Sequence, residues 1–150
     1  MHEIFEKRKA TRAYADKPVP SDKIEAIVAA AESSPSAGGL DARSIVVVEN
    51  AGKIRKIANS AGQSFIAKAP VVFVFFALPE LSGTKYGARG ESLYAIQDAT
   101  IAASFAWIEA VNQGLAGCWV GAFVEEQIVE IVKADEKSRP VALLPIGFPK

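Results

Sequence analysis

The sequence predicts one domain in which helices cover an apolar sheet, and three features lead to that fold class. Half of the 150 residues are hydrophobic, which is enough for a substantial core in one domain. Apolar runs with the length and composition of strands lie at residues 44–49, 69–78, 115–123 and 141–148, with helical patterns between them. The helical pattern over 91–113 is apolar nearly all round. Because an apolar sheet requires helices on its faces, we expect these elements to pack in layers.

The chain begins with two predicted helices. Residues 2–9 suit a short amphipathic helix anchored by Ile4 and Phe5. A second helix is expected over 22–33, with one apolar face and with Ser21 as its N-cap. Both helices precede the first strand of the sheet.

The middle of the chain alternates loops, strands and one helix. Residues 34–40 are small and polar and predict an irregular loop before the strand at 44–49. Asn50 is expected to cap a helix that ends near Gly62. Residues 79–90, after the second strand, are expected to form a polar loop.

The central helix is expected to end at Gly114, which can adopt the left-handed conformation of a C-terminal cap at little cost. So short a chain can hardly bury that helix on every side, so we expect a second subunit to cover part of it. The elements that follow it are a buried strand over 115–123, a helix over 124–134 and a closing strand over 141–148.

Composition excludes several classes of partner. Lys plus Arg and Asp plus Glu number 17 each, so no overall field favours nucleic acid or an anionic membrane. The longest apolar run, 69–78, is too short to span a bilayer. The N-terminus lacks the apolar core of a signal peptide, and the single Cys118 excludes an internal disulfide framework. We therefore expect a soluble cytoplasmic protein that binds neither nucleic acid nor membrane.

Familiar catalytic motifs are missing from the sequence. It contains no G-x-G-x-x-G, no Walker loop, no H-E-x-x-H and no cysteine pair. The only histidine is His2, in a segment expected to fray, so a His-activated nucleophile and an imidazole metal site are not expected. We therefore expect either that a bound cofactor carries the reaction or that the protein is not a catalyst.

Four stretches, taken in order, resemble the nitroreductase family of FMN enzymes. Residues 8–14 (RKATRAY) are similar to the family's Arg-Arg-Ser-x-Arg-x-aromatic signature after the first helix. Residues 35–41 (PSAGGLD) resemble its Pro-Ser-x-x-Asn-x-Gln segment. Residues 114–123 (GLAGCWVGAF), with 140–149 (PVALLPIGFP) behind them, resemble its flavin-ring strand and its closing strand. The resemblance extends over nearly the whole chain.

This resemblance implies an α+β fold in which a central sheet is flanked by helices, with residues 1–150 forming a single FMN-binding domain. It also implies an obligate homodimer with two flavin sites at the subunit interface, where the long central helix packs. The cofactor-binding positions that it implies are Arg8, Lys9, Ala10, Arg12, Pro35, Ser36, Ala37, Gly38, Gly39, Asp41, Val120, Gly121 and Ala122.

The resemblance also implies roles for these positions. Arg8 and Lys9 suit the flavin phosphate. Arg12 would stabilise the negative charge that gathers around N1 and O2 on reduction. The segment 35–39 would lie against the ring and ribityl chain of a flavin held mainly by the partner subunit. The segment 120–122 would present backbone N–H groups to the ring around N5. Considered alone, these stretches could equally be a solvated basic turn, an ordinary loop and a structural strand end.

Three positions depart from the family pattern: Gly39 stands where Asn is usual, Asp41 where Gln is usual and Arg43 where an aromatic residue is frequent. An acidic Asp41 near a reducible ring would oppose formation of the flavin anion unless Arg43 pairs with it. The residues expected to face the substrate are Lys85, Tyr86 and Arg89.

The resemblance implies a ping-pong oxidoreductase, in which NAD(P)H gives hydride to FMN N5 and an electron-poor acceptor, such as a nitroaromatic or a quinone, then takes it. No catalytic side chain and no metal are expected, because the flavin carries the chemistry. Three alternatives remain open at this point. They are a specialised flavin-fragmenting or azoline-oxidising branch, a non-catalytic FMN-binding dimer, and a domain without a ligand.

Overall fold

The computed structural model describes residues 1–150 and contains one sheet of four strands. The strands are β1 (Arg43–Val48), β2 (Val71–Ala77), β3 (Ala116–Gly117) and β4 (Arg139–Gly147). They lie in the order β1-β2-β4-β3, and every neighbouring pair is antiparallel. β2 and β4 occupy the centre, which explains why their sequences are the most continuously apolar.

Six α-helices surround the sheet: α1 (Glu3–Lys7), α2 (Ser21–Glu32), α3 (Ala51–Ala61), α4 (Pro79–Arg89), α5 (Ala95–Asn112) and α6 (Glu125–Val132). Short helical turns occupy Ala37–Gly39 and Ser64–Lys68, and one wide π-helical turn over Gly90–Tyr94 joins α4 to α5. None of these helices combines the length and the hydropathy that a membrane crossing requires.

The sheet separates two cores, because successive side chains of a strand point to opposite faces. Phe73 and Phe75 of β2 pack with α2 and α5 on one face. Val72, Val74 and Phe76 of the same strand pack with α3 and α6 on the other face. The expected helix-covered apolar sheet is confirmed.

Most element boundaries agree with the sequence prediction, and two helix ends form as predicted. The Asn50 side chain accepts a hydrogen bond from the Lys53 N–H at 3.0 Å, so it caps α3. Gly114 follows the end of α5 with φ +76°, the left-handed conformation expected of it. Gly62 does the same after α3, with φ +62°.

The prediction of a polar loop over 79–90 is wrong, because these residues form α4 and the start of the π-helical turn. Pro79 occupies the first turn, where its missing N–H costs nothing. The glycines that suggested a loop have another role. A side chain at Gly90 would meet the Ser82 carbonyl, so glycine here permits close packing between consecutive helical segments.

Three smaller predictions are also corrected. Ser21 is the first residue of α2 rather than its cap, and the capping position falls on Pro20, which offers no side-chain bond. Phe5 does not anchor α1, since α1 buries no residue and Phe5 is 54% exposed. The expected strand over 115–123 is reduced to the two residues of β3 and a single bridge from Val120 to Leu143 of β4, because Cys118 and Trp119 interrupt the ladder.

The central helix α5 buries small side chains and leaves large ones less covered. Phe105 is 42% exposed, and Ile101 and Trp107 are only half-buried. Alanines let α5 approach β2 and β4 closely, while the opposite side of the helix presents apolar surface without a partner in this chain. The buried residues of α5 other than Asp98 are Ala95, Ala99, Ala102, Ala103, Ala106 and Ala110.

Candidate functional site

The basic segment, residues 8–12, carries three cationic side chains that form no ion pair in the chain. The Arg8 guanidinium carbon lies 4.6 Å from the centre of the Trp107 ring. Arg12 faces the Phe65 ring at 5.8 Å, and Lys9 is exposed. Because aromatic faces leave the guanidinium N–H groups free to bond elsewhere, the segment can bind an anion.

Backbone bonds fix this basic segment against the sheet. Ala10 bridges Gly117 of β3, and the Thr11 N–H donates to the Gly117 carbonyl at 2.9 Å. The Tyr14 hydroxyl donates to the Thr11 carbonyl at 2.8 Å and also lies 3.2 Å from the Pro145 carbonyl oxygen. Burial raises the pKa of Tyr14 well above its usual range, so the hydroxyl stays protonated and remains a donor.

The chain continues from β3 into residues 120–122, which the sequence assigned to the flavin ring. Val120 and Leu143 exchange two backbone hydrogen bonds of 2.9 Å. The expectation that Val120 presents a free N–H is therefore wrong, because that N–H belongs to the sheet ladder. Gly121 and Ala122 are exposed, and their N–H groups form no hydrogen bond within the chain, so these two donors are available to a ligand.

The second predicted region is the loop over 33–41. The buried side chain of Arg43, only 4% exposed, stabilises this loop through hydrogen bonds. Its guanidinium donates to the Glu32 carbonyl at 2.8 Å and to the Ser34 carbonyl at 3.1 Å. It also bonds Asp41 Oδ1 at 2.9 Å. The pairing of Arg43 with Asp41, on which the sequence argument depended, is present.

Asp41 also links the two ends of the loop, because it bonds Ser36. The Ser36 hydroxyl lies 2.9 Å from Asp41 Oδ1, and the Asp41 N–H donates to the Ser36 hydroxyl oxygen at 3.0 Å. The Ser36 hydrogen bond, followed by the Arg43 charge, lowers the pKa of Asp41. Gly38, Gly39 and Asp41 all have positive φ, at +61°, +67° and +51°. Glycine adopts this conformation readily, so only Asp41 carries a cost in backbone strain here.

The loop also borders a cavity of about 540 Å³ against the N-terminal part of α5. The Ala37 N–H donates to Asp98 Oδ1 at 2.9 Å, which joins the loop to that helix. The cavity is lined by Pro35, Ser36, Ala37, Tyr94, Gln97, Asp98, Thr100 and Ile101. Its volume is in the range of small-molecule sites in proteins.

Two of the three residues predicted to face the substrate lie beside this loop. A side chain at Gly38 would meet both the Tyr86 hydroxyl and the Lys85 ammonium group, so α4 covers the loop at this point. Arg89 donates from Nε to the hydroxyl of Tyr94, which lines the cavity, at 3.1 Å. Tyr86 and Tyr94 pack edge to face with ring centres 5.1 Å apart.

The predicted residues thus form two separate sets along α5. The basic segment lies against Trp107, whereas the loop is tied to Asp98, nine residues earlier on the same helix. At a rise of 1.5 Å per residue these anchor points are about 14 Å apart along the helix axis.

Sequence reasoning missed Asp98, Trp107 and Tyr14 as parts of these sets. In the sequence, Tyr14 is only the aromatic end of a motif, and Trp107 is one of many apolar residues in the helical pattern over 91–113. Asp98 carried a usable signal, because the helical pattern over 91–113 has few charged residues and a carboxylate is seldom buried without a partner.

The fold and these segments define an α+β protein with a helix-flanked antiparallel sheet, and comparison with known proteins gives its family. The nitroreductase family model matches residues 5–68 and 58–148. The chain therefore belongs to the nitroreductase family, as the sequence resemblance implied.

Three relatives illustrate the similarity. A nitroreductase family protein from Clostridium novyi NT is 28% identical, with a TM-score of 0.90 over 99% of this chain and 84% of that one. An FMN-dependent nitroreductase from Clostridium difficile is 26% identical, with a TM-score of 0.86 over 100% of this chain and 88% of that one. The NAD(P)H-dependent FMN reductase of Bacillus subtilis is 28% identical over 94% of this chain, which spans 62% of that enzyme.

Proposed function

We propose that this chain is an FMN-dependent NAD(P)H oxidoreductase acting as a single FMN-binding domain. The observation that carries the proposal is the basic segment, whose three cations have no carboxylate partner and whose backbone is fixed to the sheet. Relatives that share its fold include an FMN-dependent nitroreductase and an NAD(P)H-dependent FMN reductase. The residues present suit FMN, since they offer cations for a phosphate and free N–H donors for a polar ring edge.

In this proposal Arg8 and Lys9 bind the phosphate, Arg8 through two parallel hydrogen bonds and Lys9 as a point charge. Arg12 supplies positive charge beside the pyrimidine edge of the ring. Gly121 and Ala122 donate their exposed N–H groups to the ring, and their small side chains allow the close approach that this requires.

The loop over 33–41 would contact a flavin bound mainly by a second subunit. One observation supports a homodimer. The outer side of α5 carries Phe105, 42% exposed, together with half-buried Ile101, as an apolar surface for a second copy.

Bound FMN would supply the redox chemistry, accepting hydride from NAD(P)H and passing two electrons to an electron-poor acceptor. We propose a ping-pong order, because donor and acceptor must reach the same ring in turn. The chain's own residues bind and orient the ring and contribute no acid or base. The pairing of Asp41 with Arg43 compensates the negative charge of Asp41.

The test is the absorption spectrum of the purified protein after addition of FMN and gel filtration. We expect an oxidised-flavin spectrum that co-elutes with a dimer and bleaches when NADH or NADPH is added without oxygen. A protein that elutes without flavin would contradict the proposal. Retained flavin that neither nicotinamide reduces would instead favour a binding protein or a specialised branch of the family.

A further inference from the structure

Asp98 is the only buried carboxylate in the chain, at 2% exposure, and it forms no ion pair. One oxygen, Oδ1, accepts the Ala37 N–H at 2.9 Å. The other, Oδ2, is buried and has no hydrogen-bond partner. A buried carboxylate oxygen without a donor is costly, so its retention in an otherwise alanine-packed helix requires a reason.

The position of Asp98 supplies that reason. Three buried side-chain atoms lack partners, on Ser82, Asp98 and Trp107. Asp98 alone among them is charged, and it alone lines the cavity beside the loop over 33–41. The Ala37 bond fixes the orientation of its carboxylate and leaves the second oxygen for another donor.

The hydroxyl groups around the cavity already have partners. The Ser36 hydroxyl bonds Asp41, the Thr100 hydroxyl donates to the Ile96 carbonyl at 2.7 Å, and the Tyr94 hydroxyl accepts from Arg89. The Gln97 side chain is exposed, so water can satisfy its amide. Asp98 is therefore the one buried side chain in the cavity wall with an acceptor that is not yet used.

We propose that Asp98 is a ligand-binding residue whose Oδ2 accepts a hydrogen bond from the flavin that the loop contacts. This inference rests on the proposed function. FMN offers two kinds of donor, the N–H of its ring and the hydroxyls of its ribityl chain, and both satisfy a carboxylate in the same way. The cost of burying Asp98 in the free protein is then offset when FMN binds.

The test compares FMN affinity, measured by quenching of flavin fluorescence, in the wild type and in Asp98→Asn. The amide retains an oxygen for Ala37 but places an NH2 donor where Oδ2 was. We expect the dissociation constant to rise at least tenfold, because a hydrogen bond to a charged acceptor is lost. The matched control is Glu25→Gln on α2, which removes an exposed carboxylate and should leave affinity unchanged.

Stability gives a second readout that a merely structural role would not produce. Without flavin, Asp98→Asn should unfold at the same temperature as the wild type or higher, because it removes a buried charge. Weaker binding combined with unimpaired stability would support the proposal. If Asp98→Asn does not fold, Asp98→Ser takes its place in the affinity measurement, where the same rise in the dissociation constant is expected.

Lumiflavin, which has the ring N–H but no ribityl chain, separates the two kinds of donor. An equal loss of affinity for lumiflavin and FMN would assign the bond to the ring, and a loss for FMN alone would assign it to the chain. If Asp98→Asn binds FMN with an affinity within twofold of the wild type, the inference about Asp98 is overturned and the proposed function is not. A wild type that binds no FMN would overturn the proposed function and this inference with it.

Discussion

The basic segment and the loop over 33–41 are both irregular, but they use charge in opposite ways. Residues 8–12 are fixed by backbone bonds to β3, and their three cations have no ion pair. The loop is fixed by side chains, with the buried Arg43 below it, Asp41 closing it and Asp98 at its edge. The comparison indicates that the basic segment is available to bind an anion. In the loop, the charged side chains bond one another and fix the conformation of the backbone.

The largest effect expected from this comparison is on stability. Arg43→Ala would leave the Glu32 and Ser34 carbonyls and Asp41 without their donor. Hydrogen bonds from a charged group are among the strongest in proteins, so we expect a loss of about 3 kcal/mol in the free energy of unfolding. Urea denaturation measures it.

Arg43→Lys is the matched control, because it keeps the charge but cannot reach three acceptors at once. We expect the free energy of unfolding of Arg43→Lys to lie between those of the wild type and Arg43→Ala. A loss below about 0.5 kcal/mol in Arg43→Ala, the size of an ordinary surface substitution, would mean that the loop does not depend on its side chains.

The basic segment should behave in the opposite way. Arg8→Ala is expected to raise the dissociation constant of FMN at least tenfold, since it removes a charge-assisted bond to the phosphate. Stability should change by less than about 1 kcal/mol, because the half-buried Arg8 side chain forms no ion pair or hydrogen bond and its cation–π contact with Trp107 is weak.

Riboflavin, which has no phosphate, sharpens that test. Its affinity should be the same in Arg8→Ala and in the wild type if Arg8 binds the phosphate. Lys56→Ala on α3 removes an exposed, unpaired cation elsewhere and should leave both affinities unchanged. An equal loss of FMN and riboflavin affinity in Arg8→Ala would show that Arg8 does not act through the phosphate.

The same contrast explains what the sequence could predict. The basic segment follows the family signature in consecutive residues, so its cations could be located from the motif, whereas its pairing with Gly117 of β3 could not. The contacts of Asp98 with Ala37 and of Arg8 with Trp107 join residues 61 and 99 positions apart, and no local pattern contains them. Long-range pairs of this kind are visible only after the sheet brings α5 against both segments.

Local sequence patterns also gave wrong predictions at glycine-rich segments, because glycine is found both in loops and at close contacts between elements. In 79–90, glycines typical of a loop instead allow α4 and the following turn to pack closely. In 114–123, glycine and small residues suggested a strand of useful length, but only the two residues of β3 and the bridge at Val120 pair with β4. In both places some of the glycines allow close approach, and the partner of that approach was the missing information.

The smallest effect expected concerns Asp41 and depends on pH. Its pKa is lowered by the Ser36 hydrogen bond and by the Arg43 charge, so the folded state binds its proton less readily than the unfolded state. This contribution to stability is therefore present above the ordinary aspartate pKa of about 4 and is lost as pH falls through the lower folded value.

Asp41→Asn should be slightly less stable than the wild type at pH 7, and the difference should shrink towards pH 3. Because the side chain is exposed, solvent screens the pair and the change stays small. Urea denaturation of both proteins at several pH values measures it, and a stability difference that does not vary with pH would mean that the loop is closed by shape rather than by the charge of Asp41.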